Sequence, residues 1–215
     1  MIPPGELSDA GEKLARLLAS AGLASLQPAQ SKSFSDYLSL ILRWNQRINL
    51  TAIRDAEGIL ARHFVESIAC AQALPAGIAT LLDFGSGAGF PGIPIAVCRP
   101  EIAVTLAESQ GKKAAFLREA VRTLGVTAAV HSARAETLSA KFDCVTLRAV
   151  DEMEAAVRSA AQLVRPGGWL APLTTHADLA TLQSAAGSGF VWTTPHPLPG
   201  SDHRILALAQ SPVAT

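Results

Sequence analysis

Residues Leu81-Leu-Asp-Phe-Gly-Ser-Gly-Ala-Gly-Phe-Pro-Gly92 form a buried-strand pattern that runs into glycines at positions 85, 87 and 89. Glycine permits positive φ and lets bare main chain approach a ligand, here at the carboxyl end of a strand, where open sheets bind cofactors. The spacing narrows the choice. A dinucleotide fingerprint counted from Gly85 requires glycine at position 90, which is Phe90, and the Gly-Lys-Ser/Thr ending of a phosphate-binding P-loop is missing. Asp83 suits a ligand carrying an ammonium group, such as the methionine moiety of S-adenosylmethionine, better than a pyrophosphate, which it would repel. Glu108 ends the next strand pattern, where a carboxylate accepts hydrogen bonds from both hydroxyls of a cofactor ribose. Loop, Asp83 and Glu108 together point to a nucleoside cofactor.

Other chemistries find no support. No His/Cys/Asp/Glu spacing matches a metal site, so no metal is expected. No Ser-His-Asp or Cys-His signature appears. Cys70, Cys98 and Cys144 are widely spaced in apolar sequence, as expected of reduced core thiols in a cytoplasmic protein. The start, MIPPGELSDAGEKL, lacks the pattern of a secretory signal. The stretch from Ser67 to Leu82 carries no charge, but Gln72, Pro75 and Gly77 interrupt it, against a membrane span. Eighteen Lys plus Arg balance eighteen Asp plus Glu, so any charged partner must be met locally.

The elements that position these residues divide in two. Residues 1–77 read as a helical extension. One helix starts at Ser8 or Asp9, with Glu12 placed for a capping box on Asp9. A second puts Phe34, Leu38, Ile41, Trp44 and Ile48 on one face, and a third starts near Asp55 with Ile59, Leu60, Phe64 and Ile68 inward. Residues 78–215 alternate short apolar runs with amphipathic segments, the pattern of a parallel sheet covered by helices. Strands are expected at Thr80 to Phe84, Ile102 to Ala107, Val126 to Val130, Phe142 to Leu147, Trp169 to Leu173, Phe190 to Thr193 and Ile205 to Ala209. A helix is expected from Gly111 to Leu124, and a long loop from Thr194 to His203. With 49% hydrophobic residues, a chain of 215 residues needs no staple to hold its core.

Several of these stretches carry a resemblance. Trp44-Asn-Gln-Arg-Ile-Asn-Leu-Thr51, Arg62-His-Phe-Val-Glu-Ser67, the run from Asp83 to Pro94, Glu108-Ser-Gln-Gly-Lys-Lys113, Arg134-Ala-Glu136 and Leu147-Arg-Ala149 resemble the small-subunit ribosomal RNA guanine-N7 methyltransferases. The resemblance implies an α/β, Rossmann-like class I methyltransferase with a mostly parallel sheet and an N-terminal helical extension. It further implies S-adenosylmethionine as cofactor and, as substrate, N7 of a guanine in the 530 loop of 16S rRNA, free or in a small-subunit particle. Gly85, Phe90, Glu108, Ala135, Glu136 and Arg148 would hold the cofactor beside Asp83, Gly87 and Gly89. The family commonly carries a Lys-Gly pair after the fifth strand, where this chain reads Pro172-Leu-Thr-Thr-His176.

Attack by the N7 lone pair removes no proton, so no general base is expected and alignment dominates the chemistry. Arg148, just past the fourth strand pattern, is expected to donate to guanine O6, an RNA phosphate or the cofactor carboxylate. Arg47, Asn49, Arg62 and Lys112 are candidate RNA contacts, against the competing reading of a solvated charged face. His63 and Trp44 are expected as packed side chains rather than as catalyst and base platform. The chain is expected to act as a monomer. Deleting residues 1–50 should abolish RNA methylation and spare cofactor binding. A methyltransferase of small molecules or proteins, or a non-catalytic RNA-binding factor, are the alternatives weighed.

Overall fold

The computed structural model describes residues 9–213. Helices α1 (Ala10–Ser20) and α2 (Pro28–Asn45) come first. The Ser8 alternative for the first cap lies outside the described residues, and Asp9 makes no side-chain capping bond, so the expected capping box is not formed there. The box occurs one helix later, where Gln27 and Gln30 cap α2 reciprocally ahead of Pro28. Next, the Asp55 carboxylate accepts from the Gly58 backbone N–H (2.6 Å) to start a segment that runs as Ala56–Gly58, a π-helical stretch Ile59–Phe64, and α3 (Val65–Ala73). Apolar periodicity gives no sign of a π-helical stretch; π-helical turns are frequent at functional sites.

The sheet is built on β1 (Thr80–Phe84), β2 (Ala103–Ala107), β3 (Ala128–His131), β4 (Phe142–Arg148) and β5 (Val164–Thr175). These five pair in parallel in the order β3-β2-β1-β4-β5. Short antiparallel strands finish it: β6 (Val191–Trp192), β7 (His196–Pro197), β8 (Arg204–Leu206) and β9 (Ala209–Gln210), with β8 and β9 both against β5. The expected strand from Ile205 to Ala209 is therefore split in two. The loop expected after Thr193 contains β7, which pairs with β8. β5 starts five residues before the expected Trp169, carrying Pro166, Gly167 and Gly168 through a register shift at its start.

Side chains alternate across the pleat and feed two cores. Leu81, Val104 and Leu106 face the layer of α4 (Gly92–Cys98), α5 (Gly111–Leu124) and the N-terminal helices. Leu82, Phe84, Ala107 and Val145 face α6 (Met153–Leu163) and α7 (Leu179–Ala186). The first core is continuous from Ala10 to Leu208, so the helical extension shares its interior with the sheet. Within it the Tyr37 ring stacks on Phe64 (5.3 Å between centroids) and lies 5.5 Å from Phe90. The Tyr37 hydroxyl donates to the Ala88 carbonyl of the glycine loop. Trp44 packs edge-on to Phe116 and donates through Nε1 to Glu119 on α5 (3.0 Å), a structural use of the indole. All three cysteines are free thiols, Cys70 and Cys144 buried and Cys98 half-buried. Among the described residues no helix is long and apolar enough to cross a membrane.

Candidate functional site

A crevice of about 1010 Å³ runs along the carboxyl ends of the parallel strands. The β1 loop forms its floor, and its geometry follows from three anchors. Ser86 Oγ donates to the Asp83 carbonyl (2.9 Å), and the Ser86 N–H donates to the Ala107 carbonyl (2.9 Å). Glu108 accepts from the Gly87 N–H (2.9 Å) with one oxygen and the Gln110 N–H (2.7 Å) with the other. Each carboxylate oxygen keeps a further lone pair for a ligand. Gly87, at φ 56°, has only the Gly85 carbonyl, at 3.9 Å, near a notional Cβ, so bare backbone faces the crevice there. At Gly85 a Cβ would press on Val150 at 3.0 Å.

Of the residues singled out by sequence, Gly85, Gly87, Phe90, Glu108, Ala135, Glu136, Arg148 and Arg62 all line this crevice. Ala135 and Glu136 sit on a single 3-10 turn, Ala135–Thr137, after β3. Two members of the expected site do not line it. Asp83 is fully buried under the loop because it shares the pleat face of Leu81; its carboxylate accepts from Thr146 Oγ1 (3.0 Å) and the Gly92 N–H (3.2 Å). It organises the loop rather than offering a surface to an ammonium group. Gly89, at φ 90°, faces the opposite way, where a Cβ would meet Ile93 at 2.6 Å and the Tyr37 hydroxyl at 2.7 Å; it is glycine so that the loop can lie on the helical layer. Arg47, Asn49 and Lys112 also stand outside the crevice. Asn49 accepts from Arg54 (2.7 Å), and Lys113, not Lys112, reaches the wall.

Burial raises Asp83 to about 6, against the lowering effect of Ser86, Thr146, Gly92 and Arg148. A carboxyl raised in the folded state binds more protons there than in the unfolded chain, so its stabilising balance is best at low pH and is lost as pH rises through the window from about 4 to 6. The ionised form costs roughly 3 kcal/mol at neutral pH. Asp83→Asn keeps the shape, and Thr146 can reverse its bond to accept from the amide. We expect the variant to gain on the wild type in urea unfolding between pH 4 and pH 7.5. Parallel curves would refute the assignment.

Several residues that the sequence did not assign to the site also close the crevice. His63 stacks on Phe90 (4.7 Å between centroids) and bonds Thr51 Oγ1 through Nε2 (2.7 Å). Burial first, then Arg148, Arg62 and Arg204, push it down to about 3, so it is a neutral imidazole at physiological pH. It is packed and hydrogen-bonded, as expected, and also part of the wall. Glu66 is fully buried between two arginines: it accepts from Arg148 Nη2 (2.6 Å) and from Arg204 Nε (2.5 Å). Glu66 belongs to the Arg62–Ser67 motif but its partners lie far away in sequence, so no local pattern marks the cluster. Ala149 (φ 49°) and Glu152 (φ 52°) hold left-handed backbone on the same rim, a conformation that side chains rarely adopt and that clusters at ligand sites. Among the described residues no group of three His, Cys, Asp or Glu could hold a metal ion.

The parallel sheet order, the glycine loop after β1 and the carboxylate after β2 define a class I S-adenosylmethionine-dependent methyltransferase. Mitomycin 7-O-methyltransferase has the same fold: TM-score 0.62 at 15% identity, over 95% of this chain and 73% of that one. The model of the rRNA small subunit methyltransferase G family, GidB, matches residues 30–186. Curated relatives named ribosomal RNA small subunit methyltransferase G are similar over most of their length. The one from Stenotrophomonas maltophilia (strain K279a) is 43% identical over 187 residues, 83% of this chain and 86% of that protein. The one from Roseiflexus sp. (strain RS-1) is 39% identical over 196 residues, 85% and 84% of the two chains. The chain belongs to the rRNA small subunit methyltransferase G family.

The crevice fits the cofactor of that class. Open backbone at Gly87, free lone pairs on Glu108 and the small side chain of Ala135 leave room for a nucleoside and offer carboxylate acceptors for hydroxyl groups.

Proposed function

We propose that this enzyme methylates N7 of one guanine in the 530 loop of 16S rRNA, in the cytoplasm and as a single chain. The sheet part, residues 78–215, holds the cofactor, and the helical part, residues 1–77, walls the substrate side. Gly85, Gly87 and Phe90 cradle the cofactor, Glu108 takes the ribose hydroxyls, Ala135 and Glu136 flank the adenine, and Arg148 stands between cofactor and base. Bound S-adenosylmethionine supplies an electrophilic methyl on a sulfonium.

The chain's own residues align and desolvate. N7 attacks with a lone pair and gives up no proton, so no side chain has to act as base. His63 suits that chemistry: held near a pKa of about 3, it is a poor base at neutral pH and adds no cation that would oppose charge developing on N7. Holding base and cofactor in near-attack geometry is worth roughly 7–11 kcal/mol of barrier. The observation that carries this reading is Glu108, aimed into the crevice from the end of β2 while tying down both Gly87 and Gln110. RNA contacts by Arg47, Asn49, Arg62 and Lys112 belong to the same proposal, with Arg62 inside the crevice and the others outside it.

Mass spectrometry of 16S rRNA nucleosides, with and without the gene, tests the reading. One 7-methylguanosine should disappear with the gene and return when purified enzyme and S-adenosylmethionine are added to the RNA or the small-subunit particle. An unchanged count would overturn it.

A further inference from the structure

Glu66 has no place in the proposed chemistry, yet it is the fully buried acceptor at the centre of the crevice's cationic wall. One carboxylate oxygen takes Arg148 Nη2 from the end of β4, and the other takes Arg204 Nε from β8. Arg62 lines the same crevice. The cluster is over-supplied with donors. Arg148 Nη1 is buried with no hydrogen-bond partner, and neither terminal nitrogen of Arg204 has a hydrogen bond among the described residues, although that side chain is 23% exposed and lines the crevice. A single carboxylate between two guanidiniums leaves one positive charge uncompensated, and Arg62 adds another.

A buried ion pair is a weak way to stabilise a fold, since apolar residues of similar volume do as well or better. It is a good way to fix direction: Nε held by a carboxylate leaves the planar Nη pair of an arginine as a fork for oxygen. We infer that Glu66 is a positioning residue that sets Arg204, with Arg148, as a fork for an oxyanion entering the crevice. This rests on the functional reading above.

Two oxyanions are on offer there, a backbone phosphate of the RNA and the carboxylate of the cofactor's methionine moiety. The sheet order favours the phosphate. Glu108 follows β2, and β1, β4 and β5 lie between it and β8, so the Arg204 backbone is four strand spacings away, roughly 19 Å, and its guanidinium reaches back over β5 to meet Arg148 of β4 at Glu66. Within the one crevice the nucleoside end of the cofactor lies toward β2 and Arg204 toward the β8 edge, where it pairs with Thr175 and lies beside Leu198. A phosphate flanking the target guanine is held there by charge and geometry without reading sequence.

Three variants test this: Glu66→Gln, Arg204→Gln and the double. Wild-type methylation of the RNA is the control for the functional reading itself; the variants test only the fork. For a phosphate, Glu66→Gln and Arg204→Gln each raise KM for RNA about tenfold with kcat nearly unchanged, and the log–log salt slope falls by about one. For Arg204→Gln the affinity for S-adenosylmethionine, measured by calorimetry, stays within about twofold, because Arg148 keeps its bond to Glu66. The double variant loses less than the two single losses combined, because Glu66 acts in part through Arg204 while its other oxygen holds Arg148. For the carboxylate, S-adenosylmethionine binding weakens while 5′-methylthioadenosine, which lacks the amino acid, binds as before; this keeps the positioning role and reassigns the oxyanion. If Glu66→Gln does not fold, Glu66→Asp and Arg204→Gln carry the same measurements. A lower melting temperature with unaltered KM, salt slope and cofactor affinity overturns the inference, as does an effect of Glu66→Gln that adds in full to that of Arg204→Gln.

Discussion

Glu108→Ala should weaken binding of S-adenosylmethionine about 100-fold, the largest loss of affinity expected from any single crevice residue. Two ribose hydroxyls donating to a carboxylate are charge-assisted hydrogen bonds, worth together about 3 kcal/mol in a site screened from water, and that converts to two decades in Kd. Glu108 also accepts the Gly87 and Gln110 N–H groups, so its removal loosens the loop as well as the ligand contact. Glu108→Gln separates the two effects. It keeps the length, but its amide group turns a donor toward one of those N–H groups, and the loss should be about tenfold, between wild type and alanine. Isothermal titration reads all three proteins directly. Affinity within threefold of wild type for Glu108→Ala would remove the residue from the site.

How far Glu108 was visible from sequence, and Glu66 was not, has a physical cause. A carboxylate at the end of the second strand is fixed by local chain geometry: the strand pattern gives the edge, and the offset from the glycine loop gives the neighbour. The same locality made β1, the Gly111–Leu124 helix and the lining glycines legible. Asp83 was legible as a buried-strand acid but not in its direction. Strand parity puts it with Leu81 on the face packed against α4, and parity is readable only once it is known which face the loop leaves exposed. Arg204, Glu66 and Arg148 meet from a terminal strand, the N-terminal helical part and the central sheet, a coincidence that no window of sequence contains. The two-residue strands β6, β7 and β9 are too short to show a period of two at all. The left-handed Ala149 and Glu152 carry no signal either, because neither is a residue type that favours that conformation.

Removing residues 1–50 should leave a chain that does not fold, rather than a cofactor-binding domain that has lost its RNA. The shared core changes the expectation that a helical extension can be cut away. Leu14, Leu18, Phe34, Tyr37, Leu38, Leu40 and Ile41 are each at most 5% exposed, and all belong to the cluster that includes Leu81, Ile93, Leu106 and Phe116 of the sheet and its helices. At about 1.5–3 kcal/mol for each fully buried apolar side chain, their removal forfeits roughly 10–20 kcal/mol, as much as the whole net stability of an ordinary domain. The Tyr37 hydroxyl on Ala88 and the Tyr37 ring beside Phe90 are lost with them, so the glycine loop itself would be stripped of its backing. Circular dichroism and a denaturant titration of residues 51–215 should show no cooperative transition, and calorimetry no S-adenosylmethionine binding. A cooperative fold that binds the cofactor with wild-type affinity would mean that the sheet carries its own core and that α1 and α2 only dock on it. Tyr37→Phe offers the graded version. It keeps the ring stack on Phe64 and deletes one buried hydrogen bond, leaving the Ala88 carbonyl unpaired at a cost of about 1–3 kcal/mol, with cofactor affinity falling in step as the loop loosens.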